Sequence, residues 1–205
     1  EGEVVEVTTP HNTFAGTIVL TEDGRLAVEP DGCRDVRIVL DKKGAGTNYI
    51  FEEVTVGSEL IFRGAQGVFT LKEPLDKDLF LICTGTGIAP FRSMVQHIKN
   101  KNIPHKNITL IFGCRRKDTI LYYNEMKELT ASLPGFNYIP TLSREEWEGR
   151  TGYVHPVYEE LCSDKKPAAF MLCGWRGMID EAKQRILDMG YDAKDDRLSG
   201  NPNQM

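Results

Sequence analysis

At 205 residues the chain is long enough for one large or two small domains, and its hydrophobic (40%) and charged (27%) fractions are ordinary for a soluble globular protein. There is no apolar run of membrane-spanning length, and the opening Glu1-Gly-Glu-Val-Val-Glu6 lacks the basic and apolar regions of a secretory signal, so a cytoplasmic protein without membrane insertion is expected. The formal net charge of −5 argues against nucleic acid as a partner.

Read in order, the first seventy residues are strand-like. Val4–Val7 and Thr17–Leu20 are rich in β-branched residues and bounded by turn residues; Val36–Leu40 follows and ends at Asp41-Lys-Lys-Gly44. Tyr49 to Val56 reads as a short helix or turn. Ser58–Arg63 and Val68–Leu71 resume strand character around Gly64-Ala-Gln-Gly67. Short strands separated by glycine turns predict a small antiparallel barrel. The character changes at Glu73-Pro-Leu-Asp-Lys-Asp78, which places a domain boundary between residues 73 and 74.

Beyond that point apolar runs alternate with helical patterns. Leu79–Cys83, Ile108–Gly113, Phe136–Thr141 and Ala168–Cys173 read as buried strands. Pro90 opens a helix carrying Phe91, Met94, Val95 and Ile98. Tyr122, Met126, Leu129 and Leu133 mark a second helix, and Met178, Ile179, Ala182, Ile186 and Met189 the inward face of a third. Repeated β-α units imply a parallel sheet covered by helices on both faces. Ligands of such folds sit outside the carboxyl ends of the strands, where Thr84–Pro90, Cys114–Lys117, Thr141–Arg144 and Gly174–Gly177 fall.

Five cysteines (Cys33, Cys83, Cys114, Cys162 and Cys173) are scattered, without a CxxC or the clustering of an iron–sulfur or zinc site. Buried reduced thiols are expected for Cys83 and Cys114. No metal site is predicted.

The chemistry concentrates at the strand ends. Strand, Gly85-Thr86-Gly87 turn and helix start is a layout that presents backbone N–H groups and a positive helix end to an anion. The plainer alternative is a connection whose glycines only satisfy backbone geometry. Arg115, Arg116 and Lys117 follow the second strand, and Ser143 and Arg144 the third. Guanidinium forks beside a hydroxyl suit a terminal phosphate, such as an adenosine 2′-phosphate. An NAD-type site more often places an acidic residue near the ribose. After the fourth strand, Gly174 allows a flat ring to approach the backbone, and the Cys173 thiol is small enough to pack against a nicotinamide.

Taken together these stretches resemble the ferredoxin–NADP reductase-like flavoproteins. Thr84-Gly85-Thr86-Gly87-Ile88-Ala89-Pro90 is similar to that family's pyrophosphate loop, and Ser143-Arg144-Glu145 to its 2′-phosphate motif. Tyr153 stands where a tyrosine stacks on adenine. Cys173-Gly174 with Gly177-Met178 is similar to the motif whose cysteine flanks the nicotinamide. The resemblance runs from about Gly44 to Tyr191. It implies a flavin-binding antiparallel barrel (1–73), followed by an α/β NADP-binding domain (74–205). It also implies FAD and NADP as cofactors, hydride passage between nicotinamide and flavin with Cys173 as the catalytic-site residue beside it, and a protein electron carrier such as ferredoxin. Arg115 or Arg116 would assist at the 2′-phosphate, and Thr84 would contact both rings.

The flavin half departs from the family pattern. In place of an Arg-x-Tyr-Ser/Thr motif stands Arg25-Leu-Ala-Val28. Gly44-Ala-Gly46-Thr47-Asn48 still resembles the segment that holds the flavin diphosphate, so Arg25, Gly46, Thr47 and Asn48 are the flavin candidates. Gly64-Ala-Gln-Gly67 has alanine where the family's closing turn has proline. The polar tail after Tyr191 lacks the family's last strand. These departures leave three alternatives: a shortened reductase that keeps FAD, a flavin-lacking nucleotide sensor or regulatory module, or the reductase subunit of a larger electron-transfer complex.

Overall fold

In the computed structural model the described residues are 4–8, 13–20, 26–30, 36–37, 43, 45–54 and 69–192. The chain divides into two compact units, Glu1–Gly67 and Val68–Met205.

In the first unit, strands β1 (Val4–Thr8), β2 (Thr13–Leu20), β3 (Leu26–Pro30) and β4 (Val36–Arg37) form one antiparallel sheet in chain order. Val5 lies opposite Gly16, and Ile18 opposite Val28. Helix α1 (Ala45–Glu52) begins four residues before the stretch expected to be helix or turn, so Gly46, Thr47 and Asn48 belong to its first turn. Arg25, the expected 58–63 strand, the 64–67 turn and the tail beyond residue 192 lie outside the described residues.

The second unit contains β5 (Asp78–Thr84), α2 (Ile88–Lys101), β6 (Ile108–Cys114), α3 (Tyr123–Ser132), β7 (Phe136–Leu142), β8 (Arg150–Thr151), α4 (His155–Leu161), β9 (Ala168–Cys173) and α5 (Arg176–Asp188). The five strands form one parallel sheet in the order β8-β7-β6-β5-β9. Residues 69–71, expected to continue a strand, carry no regular structure. The Phe69 ring instead stands 5.8 Å from Phe91.

Alternation along β5 explains why that run is apolar throughout. Leu79, Leu81 and Cys83 face the layer built by α2 and α3, against Phe91, Val95, Ile98 and Met126. Phe80 and Ile82 face the opposite layer, against Val157, Tyr158, Ala182 and Ile186 of α4 and α5. A strand buried on both faces has no polar side, which is the parallel-sheet signature. Burying each such Leu or Ile side chain contributes roughly 1.5–3 kcal/mol.

Pro90 sits inside the first turn of α2 and does not open it; a one-turn 3₁₀ segment over Gly85–Gly87 runs directly into the helix at Ile88. The helix stops at Asn102, whose left-handed backbone (φ 48°) returns its N–H to Ile98 and Lys99. In α5 the inward face is Met178, Ala182 and Ile186, while Met189 has passed the helix end.

Candidate functional site

All five parallel strands end on one edge of the sheet, and the register aligns those ends. Thr84 lies beside Gly113, Gly113 beside Thr141, and Cys83 beside Cys173. From the loop after β8 to the loop after β9 there are four strand spacings, about 19 Å. Along that edge stand Tyr153, then Ser143 and Arg144, then Arg115 and Arg116, then Thr84–Ala89, then Cys173 and Gly174.

The β5 and β9 loops interlock. A Cβ on Gly87 would fall against the Cys173 carbonyl oxygen, 2.6 Å from its carbon and 2.8 Å from the Gly174 nitrogen. Only glycine permits that approach. Gly174 has φ +146°, and a Cβ there would fall against the Thr84 hydroxyl and 2.8 Å from the Thr84 nitrogen. The Trp175 N–H donates to Thr84 Oγ1 at 3.0 Å. Thr84 also presses toward Gly113, where a Cβ would stand 3.2 Å from the threonine methyl.

Within the glycine turn, Gly85 (φ +54°) and Thr86 are exposed and Gly87 is buried. The Ile88 side chain is fully buried in the α2 core, and its N–H turns back to Gly85 and Thr86 carbonyls, so Ile88 anchors the turn from below. Ala89 is exposed and Pro90 half-buried. Met178 is likewise buried, packing α5 on the sheet. Cys173 is half-buried, and burial pushes its thiol pKa upward. A protonated thiol of that kind is a small packing surface rather than a nucleophile.

The β6 and β7 loops are tied by backbone bonds: Ser143 N–H to Cys114 O at 3.0 Å, and Arg144 N–H to Arg115 O at 3.1 Å. The Ser143 hydroxyl donates to the same Cys114 carbonyl at 3.3 Å. Together these loops flank an open, solvent-exposed cavity of about 690 Å³ lined by Arg116, Lys117, Asp118, Arg144 and Glu145. The Lys117 ammonium is 2.8 Å from Glu148, which is held below the usual carboxylate range by that contact. Thr119 closes the one-turn segment over Lys117–Thr119, accepting from Arg116 N–H and donating to Arg116 O.

Tyr153 is 72% exposed beside this cavity's edge of the sheet. Its neighbour Gly152 (φ +103°) is pinned by the end of β7: Gly152 N–H donates to Leu142 O at 2.7 Å, and Thr141 Oγ1 donates to Gly152 O at 2.9 Å. Three features of the edge were not read from the sequence: strand β8, helix α4 and the exposed Trp175. Strand β8 and helix α4 are too short for periodicity to mark them. Trp175, 75% exposed, lays its indole over Gly177, where a Cβ would stand 2.7 Å from the ring; the flanking glycines were its signal. Glu145, the last residue of the Ser143-Arg144-Glu145 stretch singled out in the sequence, lines the same cavity.

The family model described as the oxidoreductase NAD-binding domain matches residues 81–184, half of the chain. The chain belongs to the ferredoxin–NADP reductase-like oxidoreductases. Among its relatives, ferredoxin–NADP reductase B of Sorangium cellulosum is 29% identical over 170 residues, covering 78% of this chain and 68% of that protein. NADH-cytochrome b5 reductase 1 of Eremothecium gossypii is 27% identical over 147 residues, covering 68% of this chain and 51% of that one. This chain thus spans about half the length of several curated relatives that it matches. A solved ferredoxin NADP⁺ reductase from Neisseria gonorrhoeae, with FAD and NADP bound, superposes with a TM-score of 0.63 at 22% identity, over 95% of this chain and 80% of that one, a likeness of fold.

The residues present fit a dinucleotide. The close approach of Gly87 to Cys173 sets the glycine turn directly beside the loop after β9, and the cavity beside the β6 and β7 loops carries guanidinium groups suited to phosphate. In the first unit, Gly46 is exposed in the first turn of α1 and a Cβ there would meet nothing, which suits a phosphate at a helix start.

Proposed function

We propose that this chain is the reductase portion of an NADP(H)-dependent flavoprotein that exchanges electrons with a protein carrier such as ferredoxin or a partner oxidoreductase subunit. The observation that carries this reading is the order of residues along the carboxyl edge: aromatic, phosphate-binding pair, arginines, glycine turn, thiol. That is the head-to-tail order of a phosphorylated nicotinamide dinucleotide. Names among the relatives, such as the electron transfer component of a 2-halobenzoate dioxygenase, support a carrier or oxygenase partner. Residues 1–73 would form the FAD-binding barrel and 74–205 the NADP-binding domain of a cytoplasmic protein.

In this reading Tyr153 stacks on adenine, and Ser143 and Arg144, assisted by Arg115 or Arg116, hold the 2′-phosphate. Gly85, Thr86, Gly87 and Ala89 line the pyrophosphate, with Ile88 and Pro90 fixing the turn's shape. Cys173 flanks the nicotinamide, Gly174 admits the ring, and Met178 anchors the following helix. Arg25, Gly46, Thr47 and Asn48 hold the flavin phosphates. The bound cofactors supply the hydride and single-electron chemistry; the chain binds them, orients the nicotinamide against Cys173 and excludes water from that contact.

The test is the visible spectrum of the protein as isolated, followed by titration with NADPH and NADH. A flavin band bleached by either reduced nucleotide is expected. A colourless protein that binds nucleotide without turnover favours a sensing module and ends the reductase reading.

A further inference from the structure

We infer that Glu145 is an exposed anion at the rim of the β6–β7 cavity and sets how strongly that cavity discriminates in favour of a ribose 2′-phosphate. The inference rests on the dinucleotide reading above and names a specificity residue within it.

Glu145 Oε2 accepts the backbone N–H of Lys117 at 2.9 Å. Lys117 opens the one-turn segment 117–119, and the first N–H of such a turn has no partner within it. That N–H faces a cavity whose other walls are Arg116, Arg144 and Asp118. A carboxylate therefore holds a donor that a phosphate oxygen would otherwise take. The neighbouring ammonium does not compensate, because Lys117 Nζ is drawn to Glu148 at 2.8 Å.

The consequence differs for the two nucleotide types. A phosphomonoester carries close to two negative charges at neutral pH. Entering between Arg116 and Arg144, it meets both guanidinium groups and, beside them, the Glu145 carboxylate. It must displace that carboxylate from Lys117 N–H or accept its repulsion. A ribose bearing a free 2′-hydroxyl instead offers a hydrogen to the same carboxylate, the arrangement acidic residues make with unphosphorylated ribose. Arg144 and Glu145, adjacent in sequence, thus pull the preference in opposite directions. The wild-type cavity accepts both nucleotide types and favours the phosphorylated one only modestly.

Glu145→Gln tests this cleanly. The amide oxygen can still accept from Lys117 N–H and the side-chain shape is kept, while the charge is removed. The measurement is calorimetric titration of the full chain with adenosine 2′,5′-bisphosphate and with adenosine 5′-monophosphate, so that neither flavin nor turnover enters. The expected result is that the ratio of the two affinities rises about tenfold in Glu145→Gln, equivalent to roughly 1.4 kcal/mol, with 5′-monophosphate binding flat or weaker. An unchanged or lower ratio overturns the role of Glu145. Arg144→Ala separates the two levels of argument. If it abolishes discrimination while Glu145→Gln changes nothing, the phosphate pocket stands and Glu145 is only a loop tie. If Arg144→Ala leaves the ratio unchanged, the pocket assignment falls and the inference falls with it.

Discussion

The backbone N–H of Trp175 donates to the hydroxyl of Thr84 at 3.0 Å, joining the loop after β9 to the end of β5 across 91 residues of sequence. The threonine oxygen is thereby committed to the neighbouring loop, and the position of Cys173 follows from where Thr84 stands. Thr84→Val keeps the shape and removes the acceptor. It is expected to cost about 1 kcal/mol of stability, to leave nucleotide affinity within a few-fold, and to slow flavin reduction. Thr84→Ser should restore the rate. Stopped-flow reduction of the three proteins checks this; equal rates in all three would make the bond irrelevant to alignment.

Gly87→Ala places a methyl group against the Cys173 carbonyl. One loop must shift, since neither backbone can yield like a flexible side chain. A loss of roughly 1–3 kcal/mol in denaturant unfolding is expected, typical of overpacking, together with weakened nucleotide binding. Gly46→Ala, where a Cβ meets nothing, is the matched control and should cost less.

Much of the second unit was legible because its four longer strands are mostly apolar runs bounded by turn residues. Leu79–Cys83, Ile108–Gly113, Phe136–Thr141 and Ala168–Cys173 each fall within one residue of the observed bounds. The rest was hidden for physical reasons. Helix α4 has seven residues, too few for a repeating face, and β8 has two. Tyr122 was read as helical from its spacing, yet it adopts a left-handed backbone (φ 56°) just before α3 and packs its ring 4.7 Å from the Arg92 guanidinium. The glycines of the turn were read as phosphate-binding. That Gly87 and Gly174 also accommodate each other's loops depends on a tertiary contact that no local pattern encodes.

Cys173→Ala should slow flavin reduction while leaving NADPH affinity within a few-fold. The half-buried thiol has an upward-shifted pKa and is protonated at neutral pH, so its contribution is shape and polarizability. Transient kinetics at saturating NADPH measure this. An unchanged rate would reduce Cys173 to a packing residue.

His155 is buried at the start of α4, with Nδ1 3.0 Å from the Tyr158 hydroxyl and Nε2 3.4 Å from Glu181. Burial lowers its pKa below the ordinary 6.5; Glu181 and Glu159 oppose that shift and Arg185 adds to it. A lowered histidine pKa means the unfolded chain binds the proton more readily. The neutral ring's contribution to stability is therefore complete above pH 6.5 and declines as pH falls below it toward the folded-state value. Thermal melts from pH 7.5 to 5 should show that decline, and His155→Gln should flatten it in this window. A parallel decline in both proteins would assign it to other groups.

Strand β5 is flanked by β6, which follows it closely in the chain, and by β9, whose residues come some ninety positions later. During synthesis one side of β5 therefore stays open until the segment 168–173 leaves the ribosome. Until then Leu81 and Ile82 border an unpaired edge that other chains could join. The arrival of β9 covers that edge and brings the Trp175 loop to Thr84 in the same event, so closing the exposed strand and assembling the loop pair at its carboxyl end are one step.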